Sequence, residues 1–327
     1  MVGKVAVEEH FVTAELASTI FGSIGWDAGA WRRMRELLLE TDDLRLGAMD
    51  RNGIELSVLS LAAPCLQAMT DVDAATAAAT AANDALAAIV ERHPRRYAAL
   101  AALALQDPGA AARELVRAVD ELGMKGALVN GFSSSAEAAT GGARYYDEAA
   151  YIPFWEQLEE LAVPLYLHPR NPLETERRLY LGREELLGPT WAFTVETATH
   201  ALRLITSGLF DRCPKLTVVL GHMGELLPFA IQRLEQRLSR VDGAGLRRSP
   251  SECLRENFYL TTSGNFHTQS LIGAILEVGA DRLLFAVDYP FEEPDEASTW
   301  FDHAPIGERN RRLIGRENAV RAFALEL

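Results

Sequence analysis

Glu8 and His10 stand two residues apart in the segment Gly3-Lys-Val-Ala-Val-Glu-Glu-His-Phe11. On an extended strand residues i and i+2 point the same way, so these two share a face and Glu9 takes the opposite one. A carboxylate and an imidazole on one face form a two-ligand pair for a metal ion. His168 and Asp288 each follow a short apolar run and complete a mixed set of two imidazoles and two carboxylates. Such a set suits one divalent ion, Zn2+ or Mn2+ with Mg2+ as a further option, better than Ca2+, whose sites are built from oxygen. A lone histidine is ordinarily a structural or surface residue, but three of the seven (His10, His168, His222) directly follow apolar runs. His93, His200, His267 and His303 fall in helical or loop segments and read as structural or surface side chains, although His267 follows the seventh apolar run.

His222 reads differently from the ligand set. Glu225 lies three residues on, where one helical turn brings its carboxylate beside the imidazole. A carboxylate-oriented histidine fits general acid/base chemistry. The bland alternative is that Glu225 favours the dipole of a helix start. The only lysines, Lys4, Lys125 and Lys215, each precede an apolar run, and Asn130 stands after the fourth, so no lysine is placed to bridge two metals. One ion is expected.

The elements that must position these residues are eight apolar runs, at 5–7, 56–61, 97–103, 127–129, 164–167, 216–220, 258–262 and 283–287. They alternate with segments of helical period at 44–51, 74–92, 110–122, 153–161, 193–209, 226–239, 269–278 and 308–325. Asp107-Pro108 opens the third of these, Gly123 follows its end, and Pro153 sits at a first turn. Strands apolar on both faces and separated by helices predict a parallel sheet covered by helices, and eight units predict a closed (β/α)8 TIM barrel of the α/β class. The rival is an open doubly wound sheet. In a barrel the chemistry sits at the carboxyl ends of the strands, where Glu8-Glu9-His10, His168, His222 and Asp288 all fall. No linker composition interrupts the pattern, so a single domain over 1–327 is expected, with long lid insertions at 13–43 and 133–150.

Lys plus Arg number 32 against 46 Asp plus Glu, a net charge of −14, which argues against nucleic-acid or anionic-membrane partners and for a small molecule. Three scattered cysteines (Cys65, Cys213, Cys253) form neither a disulfide framework nor a CxxC pair. The acidic start and the absence of a long apolar run predict a soluble cytoplasmic protein. No phosphate loop, G-x-G-x-x-G or G-x-S-x-G pattern supports nucleotide, flavin or serine-hydrolase chemistry.

Longer strings carry a resemblance that runs nearly end to end: Leu105-Gln-Asp-Pro108, Gly126-Ala-Leu-Val-Asn-Gly-Phe132, Tyr166-Leu-His-Pro-Arg-Asn-Pro172, Gly188-Pro-Thr-Trp-Ala-Phe193, Gly221-His-Met-Gly-Glu225, Thr261-Thr-Ser-Gly-Asn-Phe266 and Asp288-Tyr-Pro-Phe-Glu292, with the amino-terminal segment above. With these the chain resembles the decarboxylase branch of the amidohydrolase superfamily, the group of the γ-resorcylate (2,6-dihydroxybenzoate) and 2,3-dihydroxybenzoate decarboxylases. The resemblance implies a (β/α)8 barrel assembled as a homo-oligomer, dimer or tetramer. It also implies one divalent metal without an organic cofactor, and non-oxidative release of CO2 from a small aromatic carboxylate, an ortho-hydroxybenzoate. It places metal ligands on Glu8, His10, His168 and Asp288 and an acid/base dyad on His222 and Glu225; in the mechanism expected from these, Asp288, or a group beside it, protonates the ring. Arg233 matches an arginine that meets the substrate, within or across subunits; its bland alternative is a solvated helix face. Asn130, Arg170, Trp191, Phe193, Tyr289 and Phe291 are expected to line the substrate pocket. Tyr289 stands where the family carries Trp and Ala286 where it carries a hydroxyl residue, so the ring substituents accepted are left open. A mononuclear metal-dependent hydrolase of a lactone or amide would use the same ligands, and a metal-free binding protein is the reading from another class.

Overall fold

Strands buried on both faces need helices over both faces of the sheet, and the apolar runs build that arrangement. The computed structural model describes residues 3–20, 28–135, 142–241 and 246–327. Its strands are β1 (Lys4–Phe11), β2 (Ile54–Leu61), β3 (Tyr97–Ala99), β4 (Ala101–Ala102), β5 (Ala127–Asn130), a short antiparallel hairpin of β6 (Ser133–Ser134) and β7 (Ala143–Arg144), β8 (Leu165–His168), β9 (Val218–Leu220), β10 (Phe258–Thr261) and β11 (Leu283–Leu284). Apart from the hairpin the pairings are parallel, in the orders β1-β2-β3 and β4-β5-β8-β9-β10-β11.

Two seams join these sheets into a ring. β3 and β4 are halves of one segment, the first paired with β2 and the second with β5; Leu100 N donates to Leu59 O at 2.9 Å and Ala101 N to Gly126 O at 2.8 Å. At the other seam Asp288 N donates to Glu8 O at 3.0 Å and His10 N to Tyr289 O at 2.7 Å. Eight strand positions therefore close into a barrel, and the open sheet is set aside.

Helices Asp43–Arg51, Val72–Arg92, Pro108–Asp120, Ile152–Leu161, Ala192–Thr206, Leu227–Leu238 and Thr268–Val278 alternate with the strands as the periodicity predicts. Asp107 caps the third by accepting from Gly109 N and Ala110 N, with Pro108 in the first turn. The last segment is not one helix over 308–325; it breaks into Glu308–Arg312, a π-turn at Leu313–Glu317 and Asn318–Ala322. Among the described residues three helices of eight residues or more fall outside the expected eight: Ala28–Leu39 within the first long insertion, Pro250–Asn257 opened by a Ser249/Glu252 capping box, and Pro294–His303. Parts of both insertions, 21–27 and 136–141, lie outside the described residues.

Inside the barrel a buried layer that includes Val5, Val7, Val58, Leu128, Val219 and Leu284 is closed below by Ala319, Phe323 and Leu325. Two residues further along the same strand faces the side chains turn polar: Ser60 follows Val58, Asn130 follows Leu128, His168 follows Tyr166, and Asp288 follows Ala286. β1 reaches this polar layer through a bulge, since Ala6 pairs with Ser57 and Glu9 with Leu59, three residues against two. The extra residue lets Glu8 point inward although Val7 before it does so too.

After β9 the backbone enters a turn of the wrong hand. His222, Met223, Gly224, Glu225 and Leu226 have φ of 50, 60, 76, 53 and 65°, and Gly224 N donates to Gly221 O at 2.7 Å. The turn expected to bring Glu225 to His222 is present, but it is left-handed, at about 1–2 kcal/mol for each non-glycine residue. A Cβ on Gly224 would lie 2.8 Å from Leu260 Cδ2. Gly224→Ala should therefore lose about 2 kcal/mol, read as a lowered midpoint in denaturant unfolding, whereas an unchanged midpoint would contradict the strain.

His200, on the helix Ala192–Thr206, is fully buried and accepts from Tyr146 N at Nε2, at 3.2 Å. Burial pushes its pKa from 6.5 down to about 3. Below 6.5 the unfolded chain binds a proton that folded His200 refuses, so this contribution is complete above 6.5 and is lost as pH falls towards 3. Relative to His200→Gln, the wild type should lose up to about 1.4 kcal/mol per pH unit below 6.5; parallel stability curves for the two would exclude this.

Candidate active site

The polar layer gathers Glu8 and His10 from β1, His168 from the end of β8, and Asp288 from the segment after β11. Each offers one ligand atom, and the four atoms lie within 4.8 Å of one another. His10 Nε2 is 3.0 Å from Asp288 Oδ1 and His168 Nε2 is 3.4 Å from Glu8 Oε1. The far nitrogens of both imidazoles are engaged elsewhere: His168 Nδ1 donates to Pro169 O at 3.0 Å, and His10 Nδ1 faces Ser60 Oγ at 3.4 Å. Each ring therefore turns Nε2 into the cluster, the arrangement that outer hydrogen bonds impose on metal-binding histidines. Glu8 Oε1, His10 Nε2 and Asp288 Oδ1 are buried without a hydrogen-bond partner among the described residues. Orphaned acceptors at this density fit a cation shared among them.

The electrostatics of Asp288 and His168 agree with that fit, and those of Glu8 show the cost of burying a carboxylate here without a cation. Burial raises the pKa of Glu8. Burial also raises Asp288, but the facing imidazoles of His10 and His222 outweigh it and hold the carboxyl below its ordinary range. Burial drives His168 well below the usual imidazole value, with His10 adding to the effect, which keeps its ring neutral. Neutral imidazole and ionised carboxylate are the forms that bind a metal. A divalent ion therefore fits this Glu/His/His/Asp site.

His222 sits beside the cluster with its side chain 21% exposed. Nδ1 is 2.7 Å from Glu225 Oε1, while Nε2 lies 3.7 Å from Asp288 Oδ2 and 3.9 Å from Glu8 Oε1. Burial lowers its pKa, but the charges of Glu225 and Glu8 prevail and hold it well above the ordinary value. The imidazole can therefore exchange a proton at Nε2 with a molecule bound against the ligand cluster, oriented from behind by the buried Glu225.

Among the other expected pocket residues, the Phe291 ring lies 5.6 Å from that of His10. Asn130 donates through Nδ2 to Leu61 O at 3.4 Å and leaves Oδ1 buried without a described partner. Trp191, 44% exposed, and half-buried Phe193 flank the start of the helix Ala192–Thr206. Arg170 is committed to neighbouring loops, donating to Gln67 O at 2.9 Å, Phe132 O at 2.6 Å and Ser134 Oγ at 3.3 Å with its guanidinium 4.0 Å over the Phe132 ring. Tyr289 turns to the outer side of the barrel, where Arg45 lies 4.6 Å over its ring and donates to His10 O at 2.5 Å. Arg233 is exposed on the helix Leu227–Leu238, bordering a surface groove with Leu234 and Arg237. Within one chain neither Tyr289 nor Arg233 joins the cluster. Tyr166 and Arg45 support the site and escaped the sequence reading; for Tyr166 the signal was its place two residues before His168, on the same strand face.

Residues 26–325 match the protein family described as Amidohydrolase. The chain is 50% identical over 329 residues to γ-resorcylate decarboxylase of Polaromonas sp. strain JS666, covering 99% of each. The crystal structure of a 2,6-dihydroxybenzoate decarboxylase complexed with 2,6-dihydroxybenzoate superimposes with a TM-score of 0.95 at 50% identity, over 99% of this chain and 100% of that one. A dihydroxybenzoic acid decarboxylase from Polaromonas sp. JS666, with bound manganese and the inhibitor 2-nitroresorcinol, gives a TM-score of 0.95 at 50% identity, over 99% of this chain and 97% of that one. The chain belongs to the amidohydrolase family, in the decarboxylase branch that these relatives represent.

Proposed function

We propose that this protein is a metal-dependent, non-oxidative decarboxylase of an ortho-hydroxybenzoate, releasing CO2 and a phenol, with 2,6-dihydroxybenzoate the first substrate to try. The observation that carries this reading is the 50% identity and TM-score of 0.95 to a decarboxylase holding 2,6-dihydroxybenzoate, over 99% of this chain. Glu8, His10, His168 and Asp288 hold one divalent ion, with Mn2+ the first choice and Zn2+ or Mg2+ as alternatives; the manganese in the Polaromonas relative supports this order. When bound, the ion supplies Lewis-acid charge to the substrate's carboxylate and adjacent hydroxyl oxygen.

The chain's own residues supply position and protons. His222, which enters the cycle protonated, passes its Nε2 proton to Asp288 Oδ2 at 3.7 Å and then takes the proton of the ortho-hydroxyl, with Glu225 steadying the ring through Nδ1 at 2.7 Å. Asp288 Oδ2, the oxygen turned from His10, delivers a proton to the ring carbon bearing the carboxylate. The carbon–carbon bond then breaks, its electron pair returns to the ring and CO2 leaves. A solvent proton then returns to the phenolate oxygen of the product, which leaves His222 protonated and Asp288 ionised, as they began. Phe291 covers the ring beside His10 and keeps water from it, and Asn130 Oδ1 accepts from a ring hydroxyl. Arg233 reaches a substrate only across a subunit boundary, in a dimer or tetramer; the exposed apolar side chains Leu179, Leu181, Phe229 and Leu276 are consistent with such an assembly. The three cysteines, all buried, suit a cytoplasmic setting, and no described helix is long and apolar enough to cross a membrane.

Mn2+-loaded protein mixed with 2,6-dihydroxy-, 2,3-dihydroxy- and 2,4-dihydroxybenzoate, salicylate and 5-carboxyvanillate should release CO2 from at least one acid and lose this on chelation, followed by ring absorbance and CO2 together. Silence across the panel with metal bound, and turnover of a lactone instead, would replace the decarboxylase reading by a hydrolase one. His222→Asn should retain bound Mn2+ and lose about 10²–10⁴-fold in kcat; near-normal CO2 release would remove His222 from the mechanism.

A further inference from the structure

The two oxygens of Glu8 have different surroundings. Oε1 is buried and unpartnered among the described residues, 3.4 Å from His168 Nε2. Oε2 accepts hydrogen bonds from the Tyr166 hydroxyl and, at 3.1 Å, from Thr261 Oγ1. Behind Thr261 a chain of contacts runs back to the acid/base turn: Ser263 Oγ is 2.8 Å from Thr261 Oγ1 and accepts from His222 N at 3.2 Å. Thr261 Oγ1 also lies 3.0 Å from the Tyr166 hydroxyl, so the two groups that donate to Glu8 Oε2 brace one another. Gly221 leaves room for this carboxylate, since a Cβ there would stand 3.1 Å from Oε2 and 3.3 Å from Oε1.

We propose that Tyr166 and Thr261 are positioning residues that restrict Glu8 to binding the ion through one oxygen. An ion of octahedral preference, as Mn2+ is, keeps two of six positions when four protein atoms hold it. A Glu8 free to chelate would fill one of them. Resting on the decarboxylase reading, a substrate that binds through a carboxylate and an adjacent hydroxyl needs both. The two hydroxyls thus select for chelating aromatic acids by what they deny to Glu8, without touching the substrate.

The test counts exchangeable water on bound Mn2+ by water-proton relaxation, in the whole protein and without substrate, beside Mn2+ titrations. Wild type should show two such waters. Tyr166→Phe/Thr261→Val should show one, with Mn2+ held at least as tightly and KM for 2,6-dihydroxybenzoate raised about tenfold or more, kcat changing less. Thr261→Ser, which keeps the hydroxyl, should behave as wild type. Thr261→Val alone, nearly isosteric, serves if the double variant does not fold, and should shift the count in the same direction. A wild-type count of one, or an unchanged count in the variants with Mn2+ bound, would overturn the proposal. A wild type silent on every hydroxybenzoate while the variants lose a water would instead overturn the decarboxylase reading and leave the positioning role standing.

Discussion

Glu8 and Asp288 place two carboxylates against each other at one end of a barrel, the first fully buried and the second nearly so. Negative charge held that close and that dry is unfavourable unless a cation lies between the groups. Much of the upper barrel follows from that constraint. The imidazoles of His10 and His168 turn their Nε2 atoms inward because Ser60 and Pro169 occupy their far sides. Thr261 and Tyr166 supply hydroxyls to a carboxylate that the apolar layer beneath could not solvate. The barrel turns from aliphatic to polar within two residues along each strand, since a period of two lets one strand serve both layers.

The same constraint reaches the backbone. β1 must present Val7 to the core and Glu8 to the ion, which a regular strand cannot do, and the bulge opposite Ser57 and Leu59 resolves the conflict. On its outer side β1 buries Glu9, which accepts from Val287 N at 3.0 Å, and burial pushes its pKa up to about 8, Arg45 partly offsetting this. Arg45 in turn binds His10 O and covers Tyr289. One charged layer inside the barrel is thus backed by another outside it, with the strand between them.

Alternation along the first strand is enough to put Glu8 and His10 on one face, and apolar runs are enough to mark the barrel and the ends where His168, His222 and Asp288 fall. What the sequence hides is local geometry that no period encodes. Handedness is one case: Glu225 reaches His222, but through five residues of positive φ that only Gly224 hints at. Direction is another. Tyr289 follows Asp288 directly and so faces out where its neighbour faces in, and Arg170 sits next to the pocket yet gives its donors to loop carbonyls. Tyr166 looks like one more apolar strand residue until Glu8, 158 positions away, is brought onto it.

The seam where Asp288 N meets Glu8 O joins the first strand to the last, and both residues belong to the ligand cluster. During synthesis the amino-terminal ligands emerge long before their partner, so a half-formed barrel offers a metal only an incomplete set of donors. The four-residue cluster is therefore complete only once the sheet has closed. A nascent or truncated chain lacking the last strands would leave Glu8 and His10 on an unpaired strand edge, the kind of surface that seeks another chain to pair with.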